Sequence, residues 1–205
     1  MTTTTTSEPK VKPNENYKQE LRDARKKTAK PILWLGIVSI VMLFAGLTSA
    51  YVVRADNGNW LLFNLPDIFY ISTAIIVTSS VTMVIGLRAA RKNNFALITL
   101  SVLMTLVLGL VFCYTQYLGW SELWHKNIVP AGKYSNASGS FLYVLTGLHM
   151  AHLAGGLISL LTVLVNSIRR KYNAENTLGL ELCSIYWHFL DILWVYLFLF
   201  LLYIR

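Results

Sequence analysis

Charge is what this chain has least of. Of its 205 residues, 14% are Asp, Glu, Lys or Arg, 55% are hydrophobic, and the mean hydropathy is +0.50. Soluble domains carry about 25% charged residues, so an ordinary water-facing globule is excluded. Cysteine is almost missing as well. Cys113 and Cys183 both lie inside apolar runs, without metal-site spacing, and read as small buried hydrophobes. No run alternates apolar with polar residues as a barrel strand does. No nucleophile constellation, phosphate-binding loop or zinc motif occurs. The net charge of +8 could suggest a nucleic-acid partner. Its distribution argues against one, because the basic residues form short clusters between apolar runs, with no basic stripe interleaved with aromatics.

What the chain does have is five long apolar runs, at about 31–53, 68–87, 95–118, 141–165 and 182–203. Each is about 20 residues or more, enough at ~1.5 Å per residue to cross a ~30 Å hydrocarbon core. The expected fold is therefore all-α: a polytopic membrane helix bundle of five transmembrane helices over 31–205. Residues 1–30 form a basic polar tail with a Thr-rich start and early prolines, Pro9 and Pro13. From Asn16 the tail turns helix-compatible. Lys26, Lys27, Lys30 and Trp34 are candidate contacts to lipid headgroups, against the plainer reading of a solvated juxtamembrane stretch. The first run is too long for a secretory signal peptide.

The connectors orient the bundle. Eight Lys/Arg in the tail, Arg88, Arg91 and Lys92 after the second run, and Arg169, Arg170 and Lys171 after the fourth fall on one side. Arg54, Lys126, Lys133 and Arg205 fall on the other. The positive-inside bias predicts a cytoplasmic N-terminus and a C-terminus outside.

The last run carries an expensive feature. Glu181, Ser184, His188, Asp191 and Val195 follow i, i+3, i+7, i+10, i+14 and share one helical side. Ionisable groups at membrane depth are costly unless they face protein or water, so something must cover this stripe. The fourth run offers Thr146, His149, His152, Gly155 and Gly156, and the third offers Gln116 on a face with Gly109 and Cys113. One arrangement would lay the fourth helix on the stripe with His–carboxylate hydrogen bonds. Three chemistries compete for these residues: metal or haem ligation by His149, His152 and His188; a proton path through Glu181, His188 and Asp191; and structural hydrogen bonding within the bundle.

Six segments in chain order carry a resemblance. Tyr186-Trp187-His188-Phe189-Leu190-Asp191 with Trp194, preceded by Glu181, resembles the Trp-His-Phe-Val-Asp signature of subunit III of haem–copper respiratory oxidases. Gly139-Ser140-Phe141, Thr146-Gly147-Leu148-His149 with His152, and Gly155-Gly156 resemble that family's fourth-span segment. Leu108-Gly109, Phe112, Gln116 and Trp120 resemble its third-span pattern. Ser39, Met42, Phe44 to Leu47, Ser49 to Tyr51 and Arg54 resemble the first, and Pro66, Ser72-Thr73, Ser79-Ser80 and Thr82 the connector and second span. Two positions depart: Ile40 and Gly119 stand where relatives usually carry carboxylates, so the proton handling linked to the first of these is not transferred.

The resemblance implies a five-span bacterial form, in the cytoplasmic (inner) membrane, of a non-catalytic subunit in aerobic respiratory electron transport. No catalytic, metal or cofactor-binding residue is expected in this chain. Haem and copper would reside in partner subunits I and II, and structural phospholipid would bind here. Further respiratory-complex subunits are possible partners. Subunit III of a quinol oxidase, or an accessory protein of a nitric oxide reductase, is the near alternative. A free-standing membrane haem protein or proton transporter is the distant one.

Overall fold

Every apolar run folds as a helix, and the helices outlast the runs. The computed structural model describes residues 15–56, 65–130, 132, 136–172 and 177–204. Helix α1 covers Glu15–Asp56, α2 Ile68–Arg91, α3 Phe95–His125, α4 Ala137–Ile168 and α5 Leu178–Tyr203. All five are long and apolar enough to cross a membrane, and the chain is a multi-pass, all-helical membrane protein. Among the described residues there is no strand.

The extensions have local causes. α1 begins well before its apolar run because residues 15–30 are mostly good helix formers. Pro31 sits inside it, where a missing N–H leaves the carbonyl of Lys27 without its donor. Lys27 is exposed, so water can supply that partner. α3 runs through Trp120 and Trp124 to His125, and an i,i+4 ion pair of 2.7 Å between Glu122 and Lys126 supports its last turn. α2 and α3 are joined by a three-residue turn. Asn93 there adopts a left-handed φ of 54°, tolerable for asparagine, and the Asn94 side chain accepts from Leu97 N at 3.2 Å to start α3.

That short turn makes α2 and α3 the most extensively packed helix pair. Four helices then close into a ring, with α3 against α4, α4 against α5, and α5 back against α2. α1 stands outside the ring. It packs on α4 and α5 and does not meet α2 or α3. The largest fully buried side chains confirm where the centre lies. Trp187, Trp194, Phe69, Phe112, Ile76, Met83, Leu145 and Leu153 all come from the ring, with Phe44 the contribution of α1.

Candidate functional site: the polar and aromatic core of the bundle

Apolar surface gains nothing by leaving lipid for protein, so membrane helices associate through close packing and interhelical hydrogen bonds. Two tryptophans of α5 supply both. Trp187 enters a slot that only glycines can form. A Cβ added to Gly109 on α3 would lie 2.7 Å from the indole Cη2, and one on Gly156 of α4 would lie 3.3 Å from the same ring. The indole Nε1 donates to Ser79 Oγ on α2 at 3.0 Å. One side chain thus engages all four helices of the ring.

Trp194 repeats the arrangement two turns further on. Its Nε1 donates to Thr73 Oγ1 on α2 at 3.0 Å. Its ring meets Phe112 of α3 edge-on at 5.0 Å between centroids, and the His149 ring of α4 at 5.3 Å. Around these two anchors run further interhelical bonds. Gln116 Nε2 donates to Ser72 Oγ at 2.9 Å, Thr82 and Thr105 hydroxyls meet at 2.8 Å, and Trp120 Nε1 donates to Thr146 Oγ1 at 3.0 Å. The α2 hydroxyls are mostly also bonded to their own helix: Ser72, Ser79 and Thr82 each donate to a carbonyl three residues back, so each oxygen stays free to accept from across the interface.

The sequence-derived polar residues do not form one seam. His149 is fully buried among aromatic rings, and neither of its ring nitrogens has a hydrogen-bond partner. His152 faces the other way. Its Nδ1 is 2.8 Å from the carbonyl oxygen of Leu148 in its own helix, and its ring lies 5.8 Å from Phe44 of α1. His188 turns to α2, where its Nδ1 is hydrogen-bonded with Ser80 Oγ. Ser80 also lies near the buried Asp191 carboxyl, neither of whose oxygens has a hydrogen-bond partner among the described residues. Glu181 sits at the end of the bundle. It pairs with Lys30 of α1 at 2.8 Å and accepts from Thr177 Oγ1 at 2.8 Å. The anticipated His–carboxylate pairing between α4 and α5 is therefore not formed, because the histidines leave their helices in three directions.

The remaining positions divide similarly. Tyr186 OH donates to the His152 carbonyl at 3.2 Å, tying α5 to α4, and Phe189 lines the α1–α5 junction. Gly156 is a slot residue, whereas its neighbour Gly155 has only the Tyr186 hydroxyl near its absent Cβ, at 3.8 Å. Lys27 and Trp34 are exposed on α1, Lys30 is taken by Glu181, and the side chain of Lys26 lies outside the described residues. Gly119, read from sequence as a replaced carboxylate, is a packing surface. A Cβ there would approach the Phe69 ring to 3.0 Å.

Sequence spacing named Ser72, Thr73, Ser79, Ser80 and Thr82 only as small polar positions of the second span. The structure makes them the acceptors and partners for α3 and α5. A tie at the periphery was also unforeseen: Tyr196 OH donates to Thr48 Oγ1 at 3.2 Å, linking α5 to α1. Among the described residues, no group of three or more His, Cys, Asp or Glu side chains is placed to hold a metal ion. The separate surroundings of His149, His152 and His188 do not fit a shared haem or metal.

Comparison with known proteins follows the same residues. A family model described as cytochrome c oxidase subunit III matches residues 14–205. The chain is similar to the probable cytochrome c oxidase subunit 3 of Nocardia farcinica, with 34% identity over 180 residues, 85% of this chain and 86% of that protein. It is similar to the cytochrome c oxidase subunit 3 of Bacillus sp. strain PS3, with 30% identity over 171 residues, 80% of each chain. A probable quinol oxidase subunit 3 of Staphylococcus saprophyticus is 27% identical over 172 residues, 80% of this chain and 83% of that protein.

Proposed function

The chain belongs to the cytochrome c oxidase subunit III family, and from that premise we propose how it serves the complex. It is an accessory subunit of a haem–copper oxidase, a multi-subunit membrane complex. We assign it to the bacterial cytoplasmic membrane, beside a catalytic subunit I carrying haem and copper and a copper-binding subunit II. Those partners reduce dioxygen to water. This chain contributes a rigid membrane surface and no redox step.

The observation that supports this role is the fate of the ionisable and indole groups. Trp187 and Trp194 are consumed in cross-helix packing, and the three histidines diverge. A proton path needs successive groups within hydrogen-bond reach, but Glu181 is turned to Lys30 and Thr177, away from His188 and Asp191. We orient the N-terminus in the cytoplasm, since Lys27, Lys30, Arg88, Arg91, Lys92 and Arg169 to Lys171 gather at one end of the bundle. We place a structural phospholipid at that end, over the recess of about 460 Å³ where α1, α4 and α5 meet and where Asn166, Thr162 and Tyr172 offer polar contacts.

The electron donor has two candidates. Cytochrome c is favoured by the 30–34% identical relatives, and a quinol by the 27% identical one. The test is purification in mild detergent through a tag on this chain. The expected result is a haem spectrum and copper in the co-purified complex, lost when this chain is stripped from its partners. A Soret band that stays with the stripped chain overturns the proposal. Turnover of the intact complex with reduced cytochrome c against a quinol then decides the donor.

A further inference from the structure

Two side chains at the centre of the ring carry polar atoms left without a partner among the described residues. Gln116 on α3 and His149 on α4 are both fully buried. Gln116 Oε1, His149 Nδ1 and His149 Nε2 make no hydrogen bond there. The deficit does not depend on where the protons sit. Either tautomer of a neutral imidazole leaves one N–H and one lone pair unmet. Turning the Gln116 amide over exchanges an unmet acceptor for an unmet donor. Buried polar groups in folded proteins are nearly always bonded, to protein or to ordered water, and one left unbonded costs free energy.

The two side chains stand in one layer. Phe112, one turn before Gln116, meets the His149 ring edge-on at 6.2 Å between centroids. Trp120, one turn after Gln116, donates its Nε1 to Thr146 Oγ1 at 3.0 Å, and Thr146 lies one turn before His149. Gln116 is thus bracketed on α3 by the contacts that bracket His149 on α4. A route through α2 and α5 leads to the same place. Gln116 Nε2 donates to Ser72 Oγ at 2.9 Å, the adjacent Thr73 accepts from Trp194, and the Trp194 ring lies 5.3 Å from that of His149.

The hydroxyls of this layer are already engaged. Ser72, Thr73 and Thr146 each donate to a carbonyl of their own helix and accept from a side chain of another. The indole N–H groups of Trp120 and Trp194 are used in those same bonds. Lipid does not reach side chains this deeply covered. What suits the layer is an uncharged partner that both donates and accepts and is small enough for a packed interior. Water has these properties, and buried waters in proteins bridge such groups.

We propose that the four-helix ring holds a buried water site between α3 and α4, with the Gln116 side-chain amide and a ring nitrogen of His149 as its protein partners. The water joins Ser72, Gln116 and His149, so that a polar tie runs from α2 through α3 to α4 at the level where Trp194 ties α5 to α2. It gives His149, otherwise held by ring contacts, a hydrogen-bonded place in the layer. The site belongs to the bundle itself and stands whichever oxidase the chain serves.

The test is an electron cryomicroscopy map of the intact complex, purified through this chain, at a resolution that shows ordered water. Density is expected within about 2.7–3.2 Å of both the Gln116 amide and a His149 nitrogen. A dry layer, or a His149 nitrogen bonded directly to Gln116, overturns the proposal. The second measurement is the temperature at which this chain leaves the complex in Gln116→Leu, His149→Phe and the double variant. Each single change leaves the water's other partner unmet, whereas the double change removes both. The double variant is therefore expected to fall by less than the sum of the two single shifts. Additive shifts overturn the shared site. Where a single variant fails to assemble, the wild-type map decides alone.

Discussion

The four-helix ring and α1 use the same amino acids and hold together by different means. In the ring, Gly109 and Gly156 let a tryptophan approach until no Cβ fits, and each indole N–H reaches a hydroxyl on α2. On α1, Gly36 and Gly46 have nothing within 4 Å of where a Cβ would stand. α1 is held by Phe44 and Tyr51 packing on rings of α4 and α5, by the Tyr196–Thr48 hydrogen bond and by the Lys30–Glu181 ion pair. Glycine is therefore a packing device in one region and a neutral helix position in the other. The ring is a unit whose parts fail together, and α1 is an addition that can loosen alone.

Trp187→Ala should have the largest effect. It empties the centre of the ring and leaves Ser79 without its indole donor. The expected loss is about 3–5 kcal/mol of helix-bundle stability, measured by detergent-induced unfolding of the purified complex and by loss of this chain from it. An effect confined to α1, seen as raised hydrogen exchange in α1 with the ring unchanged, would contradict the central role assigned to this side chain.

The paired substitution Gly109→Ala and Gly46→Ala sharpens the contrast with one methyl group. At Gly109 the methyl meets the Trp187 ring at 2.7 Å, and overpacking of this kind costs about 1–3 kcal/mol. At Gly46 the methyl meets nothing, and Ala's better helix propensity leaves stability equal or raised by up to ~1 kcal/mol. Thermal unfolding of the two variants in the same detergent checks this. Equal melting temperatures would mean that the glycine slot is not under the compression described.

Tyr196→Phe removes one interhelical hydrogen bond and keeps the ring, which still stacks with Phe200. Such bonds average about 0.6 kcal/mol in membranes. The expected signature is faster hydrogen exchange in α1 near Thr48 with no change in α3, read by mass spectrometry. A change spread evenly over all five helices would remove the distinction between ring and appendage.

Much of this fold is legible in the sequence, because lipid imposes a length. The runs at 31–53, 68–87, 95–118, 141–165 and 182–203 each became a helix, since no other backbone state satisfies its own hydrogen bonds in hydrocarbon. The helix ends were less legible, because propensity and an ion pair such as Glu122–Lys126 carry them past the apolar residues. The site was legible as a set of faces and not as pairs. Spacing put His149 and His152 on one side of α4, but a face spans enough angle for the first to enter the ring and the second to meet α1. Gly155 and Gly156 look equivalent on paper, and only the second borders Trp187. The hydroxyls of α2 were visible as a composition. Which indole each would meet depends on helix order around the ring, which periodicity does not encode.

The smallest effect is expected where a list of interactions would place a large one, at the ion pair between α1 and α5. Lys30 and Glu181 approach to 2.8 Å, but their side chains are 49% and 25% exposed. Water and salt screen such a pair, and exposed pairs are worth about 0–1 kcal/mol. Lys30→Ala also leaves Glu181 its Thr177 hydrogen bond and the nearby charge of Arg91. The variant should therefore assemble normally, with α1 loosened slightly at low salt. The difference should fade toward 1 M salt, where the screening length falls to about 3 Å. Hydrogen exchange in residues 27–40 at two salt concentrations measures it. A salt-independent loss as large as that of Gly109→Ala would show that α1 is anchored at its charged end, and would reverse the order of importance drawn here between packing and charge.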